Sequence, residues 1–341
     1  MHDETRVVTA SAPAKLVLYG EYAVLAGAPA AAIALSARAR CTFEIDPRVR
    51  RWTIETLGFE TTPVSTFLPA IIMEPPPAPG SPLHLLWFAL NSIKGAINDL
   101  PAGGTLTLDS RAFLRDGNKF GLGSSAAVCT ALTALLQHLG GETPAFERAF
   151  TAHFTAQDNR GSGLDVAAAF HGGLTRMTTD ADEKRQITRQ VWPDELRYRV
   201  IWTEQPASTL KFINRFSDWR AAHPAHPAFE ALVVASRVLA DSLSLTGLRR
   251  YTQALSAFDR ASELGIFTPM HSELQRLGER LGVLYKPCGA GGGDIGIAIT
   301  DDTEALQRFE RALTSEWPSQ AAPRPHPLDL RLADHGVRIE S

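Results

Sequence analysis

The chain has 341 residues, 44% hydrophobic and 21% charged, the balance of an ordinary globular protein, which excludes disordered, collagen-like and coiled-coil chains and suggests two domains at about 150 residues each. Lys plus Arg number 34 against 37 Asp plus Glu, a net charge of -3 without a dense basic cluster, so no nucleic-acid partner is expected. No run of about 18 apolar residues marks a membrane span, three cysteines without CxxC spacing exclude a disulfide framework or Cys-rich zinc site, and the polar start lacks a secretory pattern, so a cytoplasmic location is expected.

In chain order, β-branched or alternating content predicts strands at residues 5–10, 16–19, 39–45, 52–56 and 104–108. The proline run from Glu74 to Pro82 reads as a surface loop, because proline offers no N–H to a ladder or helix interior. The segment 57–80 as a whole reads as a lid or surface loop. Helices are predicted over 124–139, 144–156 and 163–170. The polar stretch 176–182 reads as a boundary, giving domains 1–178 and 179–341. Beyond it follow a strand at 198–203 and helices at 209–222, 227–244, 251–264 and 270–281. A strand at 295–300, a helix at 303–313, a loop around Pro318, Pro323, Pro325 and Pro327, and a strand at 337–340 complete the chain. No period of 20 to 50 residues repeats, which excludes solenoids and propellers, and the alternation fits two α+β domains.

Twelve of the 26 glycines gather at 117–123, 161–173 and 289–296. In the first cluster, Lys119-Phe120-Gly121-Leu122-Gly123-Ser124-Ser125-Ala126 runs straight into a predicted helix. Glycine lets the backbone approach a ligand, and the helix points free N–H groups and its positive dipole end there, so an anion is the natural occupant. The hydroxyls of Ser124 and Ser125 can add bonds to phosphate or reach magnesium. The spacing is not that of a Walker loop, and a plain helix cap preceded by a glycine turn accounts for the same residues. The third cluster contains a formal GxGxxG at Gly291, Gly293 and Gly296, but a predicted strand follows it, so a dinucleotide site fails on context. Such a loop suits close approach of another backbone or a ligand. By local pattern alone Asp165 reads as a helix-start charge and Lys15 as the solvent-facing residue of an apolar strand.

The combination changes those readings. Pro13-Ala14-Lys15 through Gly20-Glu21-Tyr22-Ala23-Val24-Leu25, then Gly121-Leu122-Gly123-Ser124-Ser125, then Gly289 to Asp294, resemble the three signatures of the GHMP kinase superfamily, spread over the whole chain. The resemblance implies an α+β, two-domain GHMP kinase fold: an N-terminal domain like ribosomal protein S5 domain 2 and a ferredoxin-like C-terminal domain, with ATP and substrate between them. Tyr22, His153 and Gln157 ahead of Gly161-Ser162-Gly163-Leu164-Asp165, the Trp202–Thr209 segment and the run from Lys286 to Asp294 are most similar to the phosphomevalonate kinase branch. Phe154 stands where mevalonate kinases carry a magnesium-binding Glu. Cys288 replaces the branch's usual Ser, and Asn159-Arg160 replaces its Lys-hydrophobic pair, with Arg160 able to supply the cation.

The resemblance implies that Lys119, Gly121, Leu122, Gly123, Ser124, Ser125 and Ala126 bind ATP, that Ser125 helps hold Mg2+, and that Lys15 and Asp165 are a catalytic pair. It places substrate on Glu21, Tyr22, His153, Gln157, Ser162, Gly163, Ser208, Thr209, Gly291, Gly292 and Asp294, with a phosphate at Ser208 and Thr209. The expected activity is ATP-dependent phosphorylation of (R)-5-phosphomevalonate by a monomer or homodimer. A mevalonate kinase or other GHMP small-molecule kinase, and a non-catalytic nucleotide-binding module, are the alternatives.

Overall fold

The two strands expected at residues 5–10 and 16–19 are one, Arg6–Tyr19, running unbroken through Pro13. Proline gives the ladder no donor, and the register shifts between Pro13 and Ala14, an irregularity that accommodates it. Its antiparallel partner, Ala30–Ile45, starts nine residues earlier than its sequence suggests. Residues Ala30 to Leu35 have helical propensity, but all six are fully buried, and their mostly small side chains let helices lie close against the sheet.

The computed structural model describes residues 6–58, 62–81, 83–179, 184–317 and 323–340. Thr5, Pro82, Asp180 to Asp182 and Pro318 lie outside the described residues. The first sheet orders Arg338–Glu340, Arg6–Tyr19, Ala30–Ile45, Gly104–Asp109, Trp52–Leu57 and Val64–Thr66, and Leu174–Thr179 pairs with Ala30–Ile45 and carries Arg185–Gln190. Helix Ser124–Leu139 crosses it; residues Ala126 to Gln137 are all buried, as in a helix enclosed on every side. Helices Leu83–Ser92, Phe146–Ala156 and Leu164–His171 pack around it.

The second sheet is antiparallel, ordered Leu284–Pro287, Ile295–Thr300, Arg197–Trp202 and His326–Leu328, with helices Pro269–Leu281 and Thr303–Ser315 against it. Helices Thr209–Ala222, Pro227–Asp241 and Leu245–Ser262 complete this half. This is the mixed, two-part α+β architecture expected. The division at 178/179 falls within a hairpin, however, since Arg185–Gln190 pairs with Leu174–Thr179, and the last strand returns to the first sheet at Thr9 to Ser11.

Three further expectations change. Segment 57–80 contains strand Val64–Thr66 and helix Leu68–Met73 rather than loop alone. Pro327 sits in an edge strand, where its missing N–H faces away from the ladder's interior. Helix Leu83–Ser92 and strand Leu284–Pro287 carry no periodic pattern strong enough to announce them; packing decides both.

Candidate active site

Between the two halves lies a cleft of about 320 Å³. Strand Arg6–Tyr19 delivers Lys15 to it, and the backbone N–H of Lys15 donates to the Leu122 carbonyl at 3.0 Å, tying the strand to the glycine loop. Gly121 and Gly123 hold φ of 79° and 77°, where other L-residues are strained. The space beside them is also taken. A Cβ on Gly123 would come 2.8 Å from Lys15 Cε, and one on Gly121 would come 2.5 Å from Asp294 Cβ.

Three helices open onto the cleft, through Ser124, Leu164 and Thr209 at their first positions. The first two follow glycine caps and the third follows Ser208; none has a side-chain hydrogen bond from its cap. On the second helix Asp165 Oδ1 accepts the Val166 N–H at 2.9 Å and Ser162 Oγ that of Leu164 at 3.3 Å. Lys119 and Arg160 add cationic side chains to the walls, and Phe113, Phe150, Phe154 and Ile213 apolar ones. His153 is 2% exposed, and burial lowers its basicity so that the ring is neutral near pH 7. Its Nε2 meets the Gln157 amide nitrogen at 3.2 Å.

Asp294 joins the loops. Its backbone carbonyl accepts from Thr203 N at 2.9 Å and its Oδ1 from Ala207 N at 3.1 Å. Burial raises its carboxyl, against the Ala207 bond and the nearby charges of Lys15 and Lys119. One residue earlier, the Gly293 carbonyl accepts from His271 Nε2 at 3.1 Å, while His271 Nδ1 accepts from Tyr285 OH at 2.9 Å. That pattern selects the neutral Nε2–H tautomer.

A family model described as "GHMP kinases N terminal domain" matches residues 85–173, which hold the glycine loop and Asp165. A phosphomevalonate kinase of Streptomyces is 34% identical over 246 residues, 61% of this chain and 66% of that protein. A phosphomevalonate kinase of Saccharolobus solfataricus is 25% identical over 353 residues, 98% of this chain and the whole of that one. The structure of Streptococcus pneumoniae phosphomevalonate kinase in complex with phosphomevalonate and AMPPNP superposes with a TM-score of 0.68 at 18% identity, covering 94% of this chain and 99% of that one. The chain belongs to the GHMP kinase superfamily.

Eighteen of the twenty residues singled out from sequence in this GHMP kinase line the one cleft. Ser208 and Gly292 do not. Ser208 sits just outside as a helix cap, and Gly292 packs on Phe212, whose ring a Cβ there would meet at 2.1 Å. Lys15 and Asp165 share the cleft, but no ion pair joins them.

Glu21, expected to touch substrate, lines the cleft, and its carboxylate is held by other side chains. Its carboxylate forms a buried ion pair with Lys286 and accepts from Tyr251 OH at 2.6 Å, and Tyr251 OH accepts from Gly20 N at 2.8 Å. Tyr22 OH likewise donates to the Ala290 carbonyl at 2.5 Å. Burial works against the Lys286 ammonium, but Cys288 and Glu21 beside it outweigh that and raise its pKa. The Cys288 thiol is itself pushed up to about 12 by burial, hence neutral near pH 7, so the negative charge facing Lys286 is that of Glu21. From sequence Lys286 stood only as the first residue of the third signature, with no role, and Tyr251 was not singled out. A lysine before proline reads as loop, and its partner lies 265 residues away.

Proposed function

We propose that this GHMP kinase transfers the γ-phosphoryl group of ATP to (R)-5-phosphomevalonate, giving ADP and 5-diphosphomevalonate. The observation that carries this reading is the convergence of three helix N-termini on one cleft that also holds Lys15, Lys119 and Arg160. In a protein of net charge -3, such a local concentration of donors and positive dipole ends is built for anions. Two relatives named phosphomevalonate kinase support the choice of acceptor.

In this reading the Gly121–Ser125 loop cradles the ATP phosphates, and Lys119 adds charge at its entrance. The acceptor phosphate lies toward Arg160 and the N-terminus of helix Thr209–Ala222. An acceptor oxygen attacks the γ-phosphorus as the bond to the β,γ-bridging oxygen breaks, and ADP departs with that oxygen. Lys15 neutralises charge spreading over the transferred group. A phosphate monoester has its second pKa near 6 and is mostly dianionic at pH 7, so little proton removal is needed. Asp165 therefore orients Lys15 and the attacking oxygen. Magnesium, when bound, neutralises the triphosphate. Ser125 Oγ and Asp165 are oxygen donors of the right chemistry, and no group of three or more His, Cys, Asp or Glu side chains fit for a metal occurs among the described residues, which suits an ion that keeps waters and phosphate oxygens. Phe154 stacks on Phe150 with centroids 5.2 Å apart, an apolar surface where mevalonate kinases place their Glu.

Release of ADP measured with phosphomevalonate, mevalonate, homoserine and galactose tests the proposal. Turnover with phosphomevalonate is the expected result; turnover with mevalonate alone defeats it.

A further inference from the structure

Among the groups lining the seam between the two halves, one charged pair is almost wholly buried. Lys286 and Glu21 have side-chain exposures of 0% and 1%, and they bridge strand Leu284–Pro287 to the turn that follows strand Arg6–Tyr19. The Lys286 ammonium also donates to Cys288 Sγ at 3.7 Å and stands 6.0 Å from the Tyr251 ring centroid. Tyr251 OH, held by the Gly20 N–H, occupies the second carboxylate oxygen of Glu21. Both charges are thus enclosed among protein partners.

We propose that Lys286 is a positioning residue for phosphoryl transfer, acting through Glu21 as a dry ionic latch that sets the first motif against the third glycine loop. The connections run directly to reacting groups. Glu21 precedes Tyr22, whose hydroxyl grips the Ala290 carbonyl in the third loop. That loop ends at Asp294, packed on Gly121, and the strand leading into Glu21 carries Lys15, bonded to Leu122 and lying over Gly123. The three motifs therefore close a ring, and Lys286–Glu21 is its ionic member. Removing one charge leaves the other buried and unpaired, which costs far more than removing both. The latch also gives Cys288 a use, as a further acceptor for the Lys286 ammonium.

The inference rests on the kinase reading, and the experiment separates the two. ADP release from ATP and phosphomevalonate is measured with the full chain as wild type, Lys286→Met, Glu21→Gln and the double variant, alongside thermal melts. A wild type without turnover defeats the kinase reading and leaves no reaction to position. With an active wild type, each single variant is expected to lose at least about 10-fold in kcat with the KM for ATP within about 3-fold, because the ATP loop is held by its own helix. The double variant is expected to recover to within about 3-fold of wild type, a non-additivity that a residue contacting substrate would not show. Wild-type kcat in Lys286→Met, or a double variant no better than the singles, overturns the proposal. If a single variant does not fold, the double decides: folded and active supports the latch, while folded and inactive, or unfolded, overturns it.

Discussion

Alanine at Gly121 and at Gly123 imposes the same backbone strain with different consequences. Both residues hold φ near 78°, so each substitution costs about 1–2 kcal/mol for placing an L-residue in the left-handed region. The new methyl then meets different neighbours. At 121 it lies 2.5 to 2.8 Å from Asp294 Cβ, Cγ and Oδ2, a side chain anchored through Oδ1 to Ala207 N. Moving that carboxylate forfeits a charged hydrogen bond, about 1.5–3 kcal/mol, so Gly121→Ala should lose about 2.5–5 kcal/mol in total. At 123 the methyl meets Lys15 Cε and Cγ, on a flexible chain that swings aside at little cost. Gly123→Ala should lose only the backbone term, yet it displaces the ammonium by about an ångström, enough for a fall in kcat on the order of 100-fold. Urea unfolding and steady-state ADP release on both variants provide the comparison. Equal losses of stability in the two, or wild-type kcat in Gly123→Ala, would refute the reasoning.

Asp165→Asn should lower kcat by less than about 100-fold and show no recovery between pH 7 and 9 if the carboxylate orients rather than removes a proton; recovery at high pH favours a base. Burial holds His271 at about 4, below its ordinary 6.5, so between those values the unfolded chain takes up a proton that the folded chain refuses. Stability should therefore fall as pH drops from 6.5 towards 4, by up to about 3 kcal/mol, with His153 adding a loss of the same sign. Urea midpoints at pH 7.5 and 4.5 should converge in His271→Gln relative to wild type, and an unchanged difference sinks the assignment. Phe258 is fully buried with ring centroids of Tyr22, Trp219 and Phe229 within 5.2–5.6 Å, so Phe258→Ala should lose about 3–5 kcal/mol in the same unfolding assay. A loss below about 1 kcal/mol would show that this aromatic cluster does not bind the halves together.

The glycine loops were legible because their signal is local. Positive φ at Gly121, Gly123, Gly163 and Gly291 demands glycine, and a helix start behind a glycine demands little more than Ser or a small residue. Lys15 and Asp165, which by local pattern read as a solvent-facing strand residue and a helix-start charge, were picked out only through the resemblance of their segments to the family signatures. Strand limits were less legible where burial overrides propensity, as at Ala30 to Leu35, or where an irregularity absorbs Pro13. The placement of Gly292 against Phe212 could not be foreseen, because adjacent glycines in one loop look alike until a neighbour fills the space beside one of them.

Sequence alone determined the α+β class and the order of the three motifs, each a short run of residues, and their combined resemblance to family signatures picked out most of the side chains that meet at the cleft. Tertiary structure alone decided what those side chains do for one another. Glu21 pairs with Lys286, Asp294 braces Gly121, and Lys15 lies over Gly123 without pairing to Asp165. The physical reason is that charge pairing and close packing depend on distances in space. Partners 265 residues apart along the chain, each unremarkable in its own segment, become a buried ion pair only when the two halves close over them.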